Sequence, residues 1–139
     1  MRTRSKTLAT WLALLGGSVG AHRLYLRGPR DVWAWLHAVP TLLGAYGAMR
    51  MRALGQDDRL GSLLVLLLGL MLAGTMLLAI IYGLMSDEKW DARWNAGAPS
   101  RPSGWAAILG VIAALMLGAT ALMATIAFAG QRLFEFLAA

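Results

Sequence analysis

Two histidines and one serine are the residues of this chain whose types and spacing could do chemistry. Ser18 sits inside Gly16-Gly17-Ser18-Val19-Gly20, the pattern G-x-S-x-G, and His22 follows four residues later. In a hydrolase that pattern is a strained turn between a strand and a helix, which lifts the serine towards a histidine and an acid from elsewhere. Here apolar helical sequence precedes it instead of a strand, so the glycines read better as points where another helix comes close. His22 and His37 could meet across a hairpin and share a metal ion or a proton, but no carboxylate lies within an apolar segment to complete a site. The same lack of Asp, Glu and Lys argues against an ion-coupled pump or transporter, whose pathway needs such groups. With no cysteine in the chain, disulfides, thiol catalysis and cysteine-ligated metals are excluded.

The elements that must position these residues are apolar and long. Leu60 to Met85 and Trp105 to Ala129 run 26 and 25 residues without one charged side chain. About 20 apolar residues cover the roughly 30 Å hydrocarbon layer of a bilayer, so each is long enough to cross. The composition agrees, with 58% hydrophobic and 14% charged residues, against about 25% charged in a typical soluble domain. The sequence therefore predicts an all-α, polytopic membrane protein with four transmembrane helices and a short interfacial helix between the third and fourth. Residues 1–54 would form a first helical hairpin and residues 55–139 a second pair, together one membrane domain.

The four segments differ in character. The first, Thr7 to Leu26, is uncharged only as far as Ala21, so it either tilts Arg23 and Arg27 out to the headgroups or dips in without fully crossing. Arg2, Arg4 and Lys6 ahead of it imitate a signal peptide, yet further apolar segments follow at once, which favours an uncleaved first helix. Val32 to Met49, the second, is interrupted by His37 and by Pro40, which should kink it. The third carries eleven Leu, two Ile and one Val, worth about −4 to −8 kcal/mol of insertion energy. In the fourth, Ala106, Gly110, Ala114 and Gly118 put small residues on one ridge where another helix can approach, either within the subunit or between copies.

The loops supply caps and anchors. Asp57 or Asp58 should cap the third segment, and Ser86 should cap a short helix with acids in its first turn. Trp90 and Trp94 share a face of that helix and, with Trp105, read as interfacial anchors. Asn95 to Gly104, with Gly97, Pro99 and Pro102, reads as a linker, and Gln131 to Ala139 as a prolongation of the last helix.

One stretch resembles a family. Lys6-Thr7-Leu8-Ala9, an apolar helix, Gly16-Gly17-Ser18-Val19-Gly20-Ala21 and then His22-Arg23-Leu24-Tyr25-Leu26 is similar to the TM-two (two-transmembrane) domain of bacterial integral membrane proteins. The resemblance covers about residues 6 to 48. It departs at Leu24, where the family carries an aromatic residue, and at Arg27 before Gly28. It implies an integral membrane protein of the bacterial inner membrane with no catalytic residue to carry over and no cofactor. From the residues themselves, Gly16, Gly17 and Gly20 let the helices meet at the bend, Arg23 and Tyr25 anchor it, and His22 is the group there that changes charge near neutral pH.

The net charge of +6 comes from 13 Lys and Arg spread over every loop, not from a basic face carrying aromatics, which excludes a nucleic-acid surface. Basic residues flanking apolar segments point to lipid headgroups. Four crossings would place seven basic residues on the side of the N-terminus and six on the other. The cluster ahead of the first helix then favours both termini in the cytoplasm. The expected role is non-enzymatic, as a structural or accessory subunit bound to lipids and to itself or another membrane protein. The alternatives are a small homo-oligomeric channel and an intramembrane hydrolase acting through Ser18.

Overall fold

The computed structural model describes residues 3–98 and 102–138, and these contain helices and no strand. Arg2 of the basic cluster ahead of the first helix, Pro99 of the linker and Ala139 at the end of the last segment lie outside the described residues. In chain order the helices are α1 (Lys6–Gly16), a 3-10 turn (Gly17–Val19), α2 (Ala21–Arg27), α3 (Val32–Leu36), α4 (Ala38–Leu54), α5 (Arg59–Leu84), α6 (Asp87–Trp94) and α7 (Trp105–Ala138).

Two of these, α5 and α7, are long and apolar enough to cross a membrane. At 1.5 Å per residue their 26 and 34 residues extend about 39 and about 51 Å. A helix in the core of a soluble protein is mostly covered, yet only 17% of the most apolar stretch of α5 and 28% of that of α7 is buried. The expectation of four transmembrane helices is not supported, because the first two segments are broken. Pro40 lacks an N–H and its ring crowds the carbonyl four residues back, Leu36, which is where α3 ends. The first segment breaks at Gly17–Gly20, where Gly20 adopts a φ of 82°. That left-handed conformation suits glycine, and a Cβ there would collide with the Ala34 carbonyl.

α5 is the axis of the fold. Along its contact with α7, Gly83 meets Val111, Met76 meets Gly118 and Gly69 meets Thr125. Each step is seven residues on both helices, the repeat of antiparallel helices packed at a shallow angle. One partner in every pair is a glycine, so the other side chain sits directly on a backbone. On another face of α5, Gly44 meets Leu68, Gly47 meets Leu64 and Gly61 meets Met51, which lays the lower half of α5 antiparallel to α4.

The upper half of α5 is covered by the first segment. Lys6 binds the Met85 carbonyl at 2.8 Å, and Gly17 lies on Thr75, so α1 runs beside the last ten residues of α5, about 15 Å, and stops. α2 then returns, bringing Tyr25 back beside Arg4 and Ser5. The first segment is thus a hairpin that turns back on itself rather than one continuous helix. The hairpin fills the wedge between α5 and the start of α3 and α4, with Gly20 against Ala34 and the Thr41 hydroxyl donating to the Ser18 carbonyl at 2.5 Å.

The N-terminal residues lie by Asn95 and Asp87 at the C-terminal end of α5, whereas Phe136 of α7 lies over Arg59 at its N-terminal end. The two described ends of the chain are therefore at opposite ends of α5.

The packing predicts a contrast between two glycines. A Cβ at Gly118 would lie 2.6 Å from the Cβ of Met76, whereas one at Gly74 meets nothing within 4 Å. Gly118→Ala is expected to destabilise by about 1–3 kcal/mol through overpacking. Gly74→Ala should be neutral or gain up to about 1 kcal/mol from helix propensity. Thermal unfolding of both variants in lipid particles checks this.

Candidate functional site

The broken segments converge on His22. It projects from α2 into the wedge and is fully buried. Its ring lies 5.5 Å from that of His37, edge to face, and 5.9 Å from the ring of Tyr82 on α5. His37 occupies the joint between α3 and α4, where its Nδ1 donates to the Trp33 carbonyl at 2.6 Å. That bond places the proton of a neutral ring on Nδ1 and leaves the Nε2 lone pair available. Neither nitrogen of His22 has a hydrogen-bond partner. A buried polar group left in this state costs about 1–3 kcal/mol.

Polar residues at the mouth of the wedge hold it closed. Arg23 on α2 grips Asp31, Nε to Oδ2 at 2.9 Å, while Asp31 accepts from the Trp33 N–H as the cap of α3. Lys6, almost buried, binds Asp87 at 2.6 Å, and the Ser103 hydroxyl donates to the same carboxylate at 2.7 Å. The Lys6 ammonium, with help from Ser103, pulls the Asp87 carboxyl down to about 2. The Arg4 carbonyl accepts from Trp90 Nε1 at 2.8 Å and from Asn95, and the Arg4 guanidinium reaches the Tyr25 carbonyl. These bonds tie the N-terminal residues, α2 and α6 into one collar. Asn95, which as a linker residue attracted no attention in the sequence, is its hub, and only the fold brings it within reach of Arg4.

At the other end of α5, the cap is Asp58 and not Asp57. It accepts from the Gly61 N–H at 2.9 Å and holds Arg50 through two bonds of 2.8 and 2.9 Å. The Arg50 guanidinium keeps its carboxyl below the usual carboxylate range.

No family model, no curated protein and no solved structure matches this chain. What the arrangement can do must be argued from its own geometry.

The turn residues Gly16, Gly17, Gly20, His22, Arg23 and Tyr25 come together as one unit, with the glycines at the tip, His22 inside and Arg23 and Tyr25 at the collar. Ser18 offers its carbonyl to Thr41, and because His22 makes no hydrogen bond, the serine has no histidine base. On the small-residue ridge, Gly110 packs on Thr10 and Trp11, Ala114 joins the buried core and Gly118 meets Met76. Ala106 is exposed, and its neighbour Ala107 takes the buried place. The ridge is thus occupied within the subunit.

Of the three anchors, Trp105 and Trp94 keep some exposure, but Trp90 is buried among Ala9, Leu26 and Tyr82. Its indole plugs the top of the wedge because the Arg4 carbonyl gives its N–H a partner away from water. Among the described residues, no group of three or more His, Asp or Glu gathers in one place.

If the His22 ring makes no bond that the fold relies on, His22→Leu should leave stability within about 1 kcal/mol of the parent chain. The loss of two ring contacts is offset by removing two unmet polar atoms. Thermal unfolding of the variant in lipid particles reads this directly; a larger loss would show that an interaction holds the ring.

Proposed function

We propose that this chain is a non-enzymatic protein of the bacterial inner membrane that acts by assembly, as a structural or accessory subunit for another membrane protein or for copies of itself. The observation that carries this reading is the apolar surface left open on α5 and α7. Leu63, Leu70 and Leu77 of α5 and Leu115, Met116 and Met123 of α7 are all more than half exposed. At about 25 cal/mol for each Å² of apolar surface kept from water, such faces need lipid or another helix against them.

The glycine turn followed by His22-Arg23-Leu24-Tyr25-Leu26 supports a TM-two-like N-terminal unit. In this reading that unit enters the membrane from one side and returns. The channel alternative gains nothing from the fourth segment: Thr120 bonds its own helix at Met116, and Thr125 packs on Gly69. Neither threonine is left to line a pore.

Native mass spectrometry of the complex, taken from its own membrane in lipid particles, should give more than one 14.9 kDa chain, either a fixed number of copies or a constant second protein. A lone chain carrying only lipid would overturn the assembly reading. For the topology, the absence of native cysteine allows single cysteines at Thr3 and Ala138. With α3 and α4 together carrying the chain across beside α5, they should label from opposite sides in sealed vesicles; labelling from one side would overturn this path.

A further inference from the structure

The contact between α5 and α7 fails at one end, and the failure has a recognisable shape. The seven-residue steps that pair Gly83 with Val111, Met76 with Gly118 and Gly69 with Thr125 lead next to Ser62 opposite Arg132. Here a long, charged side chain replaces the small partner and neither residue is a glycine, so the helices cannot close. A groove of about 550 Å³ opens instead. Its floor is apolar, formed by Leu63, Leu66, Leu133 and Phe136, and its mouth carries Asp57, Arg59, Arg132 and Glu135.

The charges at the mouth are unevenly used. Glu135 accepts from Arg132 at 2.7 Å and from Gln131 Nε2 at 2.8 Å, and Arg132 also lies over the Phe128 ring, while its Nε is buried without a partner. Arg59 rests over the ring of Phe136 and makes no ion pair among the described residues. The mouth thus has two cations and two anions above an apolar floor, at the ends of two helices long enough to cross a membrane.

We propose that this groove binds one zwitterionic phospholipid with a primary-amine headgroup, phosphatidylethanolamine in chemical class. The proposal rests on the membrane reading above. The lipid phosphate accepts from the guanidinium groups of Arg59 and Arg132 at the mouth, and guanidinium–phosphate bonds are among the strongest hydrogen bonds available. The ammonium donates to Glu135 and Asp57. An acyl chain lies along Leu63 and Leu66. A headgroup with a net negative charge lacks the ammonium that would donate to the two carboxylates, and a quaternary amine has no N–H to donate to either. A free phosphate would leave the apolar floor uncovered.

The full chain is reconstituted in lipid particles containing equal amounts of phosphatidylethanolamine, phosphatidylcholine and phosphatidylglycerol, and the lipid it retains is counted by native mass spectrometry. One phosphatidylethanolamine per chain should be held in preference to the other two. Arg59→Gln and Glu135→Gln should each lower that retention about tenfold, whereas Arg30→Gln, between α2 and α3 at the far end of the fold, should leave it unchanged. Equal retention of phosphatidylglycerol, or full retention in both groove variants, would overturn the site. A chain that stays in buffer and enters no lipid particle would overturn the membrane reading instead, so the two failures are distinguishable.

Discussion

Close approach of helix backbones at glycine, along α5, is the interaction on which the rest of this structure depends. Inside a bilayer there is no hydrophobic gain in bringing two apolar helices together, because lipid tails are as apolar as leucine. Association must come from dispersion contacts, which fall off steeply with separation. A glycine opposite each projecting side chain removes the gap that would forfeit them. Gly69, Gly83 and Gly118 do this on the α7 side of α5, and Gly44, Gly47 and Gly61 on the α4 side. Where the series ends, at Ser62 and Arg132, the helices part and a groove appears.

The wedge follows from the same axis. The glycine contacts of α4 with α5 run from Gly61 to Leu68, and beside the upper part of α5 lies a hairpin that descends about half the length of α5 and comes back. A hairpin this short has little apolar area, so polar bonds at its mouth supplement the packing: Lys6 to Asp87, Arg23 to Asp31 and Arg4 to Asn95 and Tyr25. Interactions of this kind cost little at the end of a helix, where water and headgroups share the solvation. Deeper in the wedge, His22 has no such help, and its two unmet nitrogens beside His37 are the least satisfied chemistry in the described chain.

Much of the local structure was legible before any fold was known. Pro40 announced the break before it, and Asp58 and Ser86 announced the helices they cap. Other features carried a weak signal. The glycines of α5 lie scattered in a leucine-rich segment, and their role shows only when the seven-residue spacing of 69, 76 and 83 is laid against 111, 118 and 125. Trp90 read as an interfacial anchor because its spacing from Trp94 is a property of one helix, whereas its burial depends on Arg4, 86 residues away.

By itself the sequence determined that the chain is helical and that two of its segments are long and apolar enough for a bilayer, because length, charge and hydrophobicity are local quantities that add along a chain. It also determined where those helices begin and stop, since caps, prolines and left-handed glycines act within a few residues. Only the tertiary structure decided that the first segment turns back, that the two described ends lie at opposite ends of α5, and that His22 meets His37. Those outcomes depend on which side chain lies opposite which glycine, a relation between residues far apart in the chain that no local pattern contains.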